Sequence, residues 1–396
     1  MQTRQSKFWS SDSKALAILL VWLSTRLWTA LFVYLGHASR PFLEPVGGGW
    51  EGAPNWWLNP WTTYDSQHFV AIAQNGYEQA TTAFFPLYPL LLRLAGSDGV
   101  SISLWGVLLS NAAFLGALFL LYELTKIDYD ERTARRAVLL LALFPTAAYF
   151  GAVYTESLFL VLLVGCFLLL RKERWVGAGM ASVLAALTRN SGLVLGLALF
   201  SESFRSKHSF SSERGKESWL KSVVFNPRTA IAFLPLLAFA GVQAYFALHF
   251  GSLTAGVQSQ AAFYRSTKPN WPWLPVWLDA VDIFAGRALD INTIINLTVT
   301  LAVFLLVALN WRRQPASYTI LMLGIMLMHL CLMRELPAHT IGSLRYMSTT
   351  FPFVQLLALH SLRLTKRRIP AIIALIFYAL LCARMSYLFG AKVFEG

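Results

Sequence analysis

The sequence predicts an all-α polytopic integral membrane protein. Three observations carry that reading. The 396 residues are 56% hydrophobic and 13% charged, with a mean hydropathy of +0.52. A soluble chain of this length cannot cover so much apolar surface. Long apolar runs recur, and Lys and Arg flank them. The three cysteines, Cys166, Cys331 and Cys382, all lie inside apolar runs, so they read as small core residues.

Eleven apolar runs are candidate spans, at about 15–35, 102–124, 136–150, 156–170, 174–188, 191–204, 230–249, 291–310, 317–333, 346–362 and 370–389. The first follows a basic start, with Arg4, Lys7 and Lys14, and reads as a retained helix, because it is long for a signal-peptide core. With residues 1–14 placed in the cytoplasm, the inside segments carry 22 of the 33 Lys and Arg and the outside segments nine. That asymmetry predicts N-terminus in and C-terminus out. It also accounts for the formal charge of +13 without nucleic acid.

The expected organisation is a single transmembrane domain over 1–396. It has a large first outer loop at about 36–101, a mobile cytoplasmic loop at about 201–229 and a second outer loop at about 250–290. The run "FFPLYPLLLRLAG" (84–96) is too short to span and contains Pro86 and Pro89, which predicts an interfacial or re-entrant helix. The break "TRNSG" (188–192) puts polar backbone at membrane depth. Such a break is tolerated where it is buried in protein or lines a wet cavity.

Four places carry candidate chemistry. Asp65 begins a short amphipathic segment, 66–75, with Phe69, Ile72 and Ala73 on one side. It reads either as a loop acid capping a helix, or as a general base whose pKa is raised by Trp61, Tyr64 and Phe69. His68 stands one turn on, placed to orient it. A lone Asp-x-x-His is too thin for a metal site, and the expectation is no metal ligands and no cofactor. Tyr154 and Glu156 fall in the turn "VYTES", where Glu156 is an active-site acid or a helix cap. Arg189 is a cation inside an apolar stretch, hence a functional candidate or half of a structural ion pair. Arg345 opens a span from the outer side, and its plainer role is snorkelling to the interface. Neither arginine has an acid one turn away. Both suit a lipid phosphate, which a guanidinium grips with two parallel hydrogen bonds.

The stretches "YDSQHFVAIAQNGY", "FFPLYPLLLR", "FPTAAYFGAVYTESLFL", "ALTRNSGLVL" and "SLRYMSTTFPF" resemble, in order, bacterial members of the PIG-V family. That family is named for the second mannosyltransferase of GPI-anchor assembly and belongs to the GT-C glycosyltransferases. The resemblance spans about 60–355. It implies a GT-C-like bundle with interfacial helices in the first outer loop. It implies inverting transfer, of mannose by the family's name, from a polyprenyl-phosphate sugar donor to a lipid or glycan acceptor. The active site would face outward from a bacterial plasma membrane, with Asp65 as catalytic base. The usual pattern has Trp before the acid, where this chain has Tyr64. A lipid-linked sugar transporter or flippase is the alternative, and should show inverted repeats, which are not evident.

Overall fold

The computed structural model describes residues 11–39, 56–205, 227–287, 290–335, 338–364 and 368–393. Among them the regular elements are helices. They run α1 (Ser11–Ser39), α2 (Asp65–Asn75), α3 (Leu87–Arg93), α4 (Gly99–Asp128), α5 (Glu131–Ala142), α6 (Glu156–Arg171), α7 (Trp175–Thr188), α8 (Val194–Arg205), α9 (Pro227–Ala232), α10 (Leu234–Phe250), α11 (Ala255–Gln258), α12 (Leu274–Phe284), α13 (Ile291–Asn310), α14 (Ala316–Cys331), α15 (Ser343–Ser348), α16 (Phe351–Leu364) and α17 (Arg368–Gly390). The greater part of the expected 201–229 loop, 206–226, lies outside the described residues, as does 40–55 of the first outer loop.

Five helical stretches are long and apolar enough to cross a bilayer: Lys14–Ser39, Gly99–Asp128, Pro227–Phe250, Ile291–Asn310 and Ile369–Gly390. A span needs about 20 residues at 1.5 Å each. Their outward faces stay apolar. Leu16, Leu20, Leu23, Leu27 and Leu31 are exposed along α1, as are Ile369, Ile372, Ile373, Ile376 and Phe377 along α17. Water would not tolerate such stripes, whereas lipid solvates them. The protein is a multi-pass integral membrane protein.

The middle of the bundle departs from the eleven-span reading. The run at 136–150 is not one span. Helix α5 starts at Glu131, capped by Asp130, whose Oδ1 accepts the Thr133 N–H at 2.9 Å. It ends at Ala142, and a separate 3₁₀ turn follows at Ala147–Phe150. Helices α7, α14 and α16 are also short. Helix α6 is buried along nearly its whole length, from Leu158 to Leu170, and packs on α4. Its Leu160, Leu163, Val164 and Phe167 join Phe114, Leu118, Tyr318, Met322 and Met326 in the main core. The 84–96 run makes only the seven-residue α3, with Pro86 as N-cap and Tyr88 and Leu92 buried beneath α4, as its length required.

Helices α1 and α17 pack together over their length. Two glycines permit it. A Cβ on Gly390 would stand 1.9 Å from the Val33 carbonyl oxygen, and one on Gly36 would stand 2.0 Å from that of Tyr387. Small residues let membrane helices approach this closely. Gly390→Ala should therefore lower stability by about 1–3 kcal/mol through forced separation. Gly241→Ala is the control, since its Cβ meets nothing within 4 Å. Thermal unfolding in detergent compares them; equal melting temperatures would show that the two helices separate freely.

Candidate active site

The turn Asn59–Tyr64 delivers Asp65 to the first position of α2. Tyr64 adopts φ 56°, ψ −124°. Such a backbone costs of order 1–3 kcal/mol and persists only where its surroundings hold it. Here the Tyr64 ring lies against Phe389, with centroids 6.0 Å apart. The Asp65 N–H donates to the Tyr154 hydroxyl at 3.2 Å, and that hydroxyl donates to the Thr63 carbonyl at 3.1 Å. Tyr154 thus bolts the turn from both sides. Phe69, Val70, Ile72 and Ala73 bury the expected face of α2.

Arg345 arrives on α15. The turn before that helix is pinned by Asp279 of α12, which is fully buried. Its carboxylate accepts the N–H of His339 at 2.7 Å and the N–H and hydroxyl of Thr340 at 2.8 and 2.6 Å. Asn296 Oδ1 accepts the Leu344 N–H at 3.0 Å, and Thr300 donates its hydroxyl to Ser343 at 2.8 Å. Arg189 comes from the polar break, in extended backbone just past α7. Gly192 makes the break possible: a Cβ there would meet Ala186 Cα at 2.4 Å.

These elements converge on Glu156, at the start of α6. Its Oε1 accepts Arg189 Nη1 and Arg345 Nε, each at 2.6 Å. Arg345 Nη2 donates to Asp65 Oδ2 at 2.7 Å. Arg189 Nη1 also donates to the Thr155 hydroxyl at 2.9 Å. The rings of Tyr149 and Tyr154 lie under the Arg345 guanidinium, 4.5 and 4.9 Å from it, and Tyr346 lies 5.4 Å from that of Arg189. The arginines, which have no acid near them in sequence, are thus neutralised across the fold. Glu156 makes no cap bond, and Arg345 turns inward instead of snorkelling.

The two acids differ in reach. The Glu156 side chain is 0% exposed, whereas that of Asp65 is 29% exposed. Glu156 can set charge but touch no substrate. Asp65 can do both.

Among the described residues His68 makes no hydrogen bond to Asp65, although it feels that charge. Its ring stacks on Phe84, 4.9 Å between centroids, and meets Phe263 of the second outer loop edge-on at 5.2 Å. Burial lowers its pKa from 6.5, and the Asp65 charge only partly opposes that. A histidine whose folded pKa lies below its unfolded value contributes stability that is complete above the unfolded pKa. That stability is lost as pH falls through the folded value. The melting temperature should therefore decline on acidification below about pH 6.5, and His68→Phe should remove part of the decline. Identical pH profiles for the two proteins would refute it.

Three further groups carry no local signal in the sequence. Arg265 Nη1 donates to the Leu332 carbonyl at 3.3 Å and lies 3.5 Å from His329 Nδ1. His329 is buried and packs at a tilt against Tyr346, 4.5 Å between centroids. A line of contacts therefore runs from Arg265 through His329 and Tyr346 to Arg189. A lone His in an apolar run and an Arg in a loop carry no sequence signal of this. Asp279, third of the group, hid in an amphipathic pattern.

Fold and site together define a helical membrane protein with a buried carboxylate–guanidinium centre at one end of its bundle. A partly open acid stands at the edge of that centre. The chain belongs to the mannosyltransferase (PIG-V) family, whose model matches residues 17–259. It is 34% identical over 148 residues to GPI mannosyltransferase 2 of Cryptococcus neoformans, covering 34% of each chain. It is 32% identical over 153 residues to GPI alpha-1,6-mannosyltransferase 2 of Mus musculus, covering 35% of this chain and 31% of that one. The match thus spans about a third of these relatives' length. An apo oligosaccharyltransferase from Archaeoglobus fulgidus superposes with a TM-score of 0.48 at 14% identity, covering 98% of this chain and 56% of that one.

Proposed function

We propose that the protein is a membrane glycosyltransferase that moves mannose from a polyprenyl-phosphate donor to an acceptor hydroxyl, with inversion, at the extracytoplasmic face. The observation that carries it is the division of labour between Asp65 and Glu156. Asp65, partly open and fixed at the start of an interfacial helix, takes the proton from the acceptor hydroxyl. The acceptor oxygen forms a bond to the sugar C1 as the bond from C1 to the phosphate oxygen breaks. The lipid phosphate leaves with the electron pair and needs no protonation. One carboxylate therefore suffices, where a glycosidase needs two.

The leaving phosphate needs positive charge. Asp65 and Glu156 cancel the charges of Arg189 and Arg345. Arg265, with no carboxylate partner among the described residues, adds the cation in excess. Arg189 and Arg345 contact the phosphate and Arg265 tips the balance toward an anion. Their effect is largest as charge develops, so Lys at 189 or 345 lowers turnover along with affinity. The charge asymmetry of the loops supports an outward-facing position for this end. The family match supports a transferase and gives the transporter reading nothing to stand on.

Purified protein in vesicles, supplied with polyprenyl-phosphate mannose and a glycolipid acceptor, tests this. Mannosyl product that disappears in Arg345→Lys supports it. Lipid movement across the vesicle with no sugar transferred overturns it.

A further inference from the structure

Helix α6 carries a charged group at each end, Glu156 and Arg171. At 1.5 Å per residue these stand about 22 Å apart along its axis. The Arg171 end holds a second cluster, which the transfer reaction does not use. Arg171 Nε donates to Asp128 Oδ1 at 2.7 Å and Nη1 to Glu202 Oε2 at 3.2 Å. The Tyr318 hydroxyl holds the other oxygen of Asp128, and the Ser317 hydroxyl holds that of Glu202. Arg205 reaches Glu202 at 3.4 Å.

Two polar atoms here are buried without a hydrogen-bond partner: Arg171 Nη2 and Gln314 Oε1. The Arg171 side chain is only 9% exposed. An orphaned buried donor on a charged group costs more than a neutral one, so native sites rarely keep one unless something fills it. Both residues line a cavity of about 370 Å³, together with Tyr129, Arg205, Arg312 and Arg313. Arg312 and Arg313 have no carboxylate partner among the described residues. Four guanidiniums against Asp128 and Glu202 leave an excess of positive charge.

We propose that this cavity binds the phosphate group of an anionic lipid. Guanidinium forks match phosphate oxygens, and the orphaned Nη2 supplies a fixed, desolvated donor. Gln314 Oε1 supplies an acceptor for a headgroup hydroxyl. The cavity stands where two membrane spans end, α4 at Asp128 and α13 at Asn310. Ile127, which lines it, is 51% exposed, and Leu309 and Trp311, at the end of α13 just before its lining residue Arg312 in sequence, are 57% and 58% exposed, so the surface beside it is apolar. Arg312 lies over the Trp311 ring at 4.7 Å. Tryptophan and arginine at a helix end mark headgroup depth. A free phosphate would gain nothing from that surface, whereas acyl chains would lie along it.

The test is native mass spectrometry of the delipidated full chain, titrated with phosphatidylglycerol or phosphatidylcholine. Phosphatidylglycerol should be preferred roughly tenfold, from the gain that each juxtamembrane arginine brings to an anionic headgroup. Arg312→Gln with Arg313→Gln should abolish the preference. Both side chains are exposed, so folding should survive, and the melting temperature checks it. Gln314→Leu should weaken phosphatidylglycerol alone. Equal occupancy by both lipids, or a preference that survives the double change, overturns the proposal. Full displacement by millimolar inorganic phosphate would assign the site to free phosphate and overturn the lipid. The readout is binding, so it stands apart from any transfer assay.

Discussion

Asp65→Asn is expected to lower the single-turnover rate by roughly 10²–10⁴-fold, the usual worth of a positioned base. Asparagine keeps the shape and an oxygen toward Arg345 Nη2. It cannot take a proton. The change also breaks one charge pair, so a structural explanation has to be separated from a chemical one. Two readings do that. Donor affinity should change far less than the rate, because the base acts in the transition state. The melting temperature should move little, because Asp65 is one of two acids on Arg345 and is partly solvated. A rate within threefold of the parent protein would remove Asp65 from the chemistry.

Glu156→Gln should instead act on the fold. Glu156 is wholly buried and bridges two guanidiniums through one oxygen. Removing its charge leaves Arg189 and Arg345 together without their shared counter-charge. Breaking a buried ion pair from one side typically costs about 3–5 kcal/mol. The variant should lose most of its monodisperse material in detergent and melt well below the parent. Adding Arg189→Met should restore part of the loss, because the uncompensated charge goes with it. A melting temperature unchanged by Glu156→Gln would show that the centre is solvated, and the roles of the two acids would then have to be exchanged.

The long spans were legible because length and apolar composition suffice for them: α1, α4, α13 and α17 fall where the runs put them. The amphipathic α2, with Phe69, Ile72 and Ala73 inward, was legible from its period. The centre of the bundle was not. Helix α5 starts in "ERTARR", which reads as loop until Asp130 is seen to cap it. The site was legible as a set of residues and illegible as a network. Asp65, Tyr154, Glu156, Arg189 and Arg345 do converge, yet Arg345 meets Glu156 across 189 positions and Asp65 across 280. No local pattern encodes which acid takes which arginine. His68 shows the opposite failure: one turn from Asp65 in sequence, it turns its ring to Phe84.

The contact of α1 with α17 sets a timetable for the molecule's making. Ser39 and Tyr387, which bond at 2.8 Å, are 348 residues apart. At 5–20 residues per second that is an interval on the order of 20–70 s. Throughout it, α1 sits in the membrane with the backbone around Gly36 uncovered. Phe389, which props Tyr64 and packs on Tyr149 and Tyr154, does not yet exist. The turn that aims Asp65 is therefore finished only when α17 docks. A nascent chain holds Asp65 and Glu156 for tens of seconds, but Arg345 for only on the order of 2–9 s, before Phe389 follows it, and a ribosome that stalls between residues 345 and 389 releases a protein with all its chemistry and no aim.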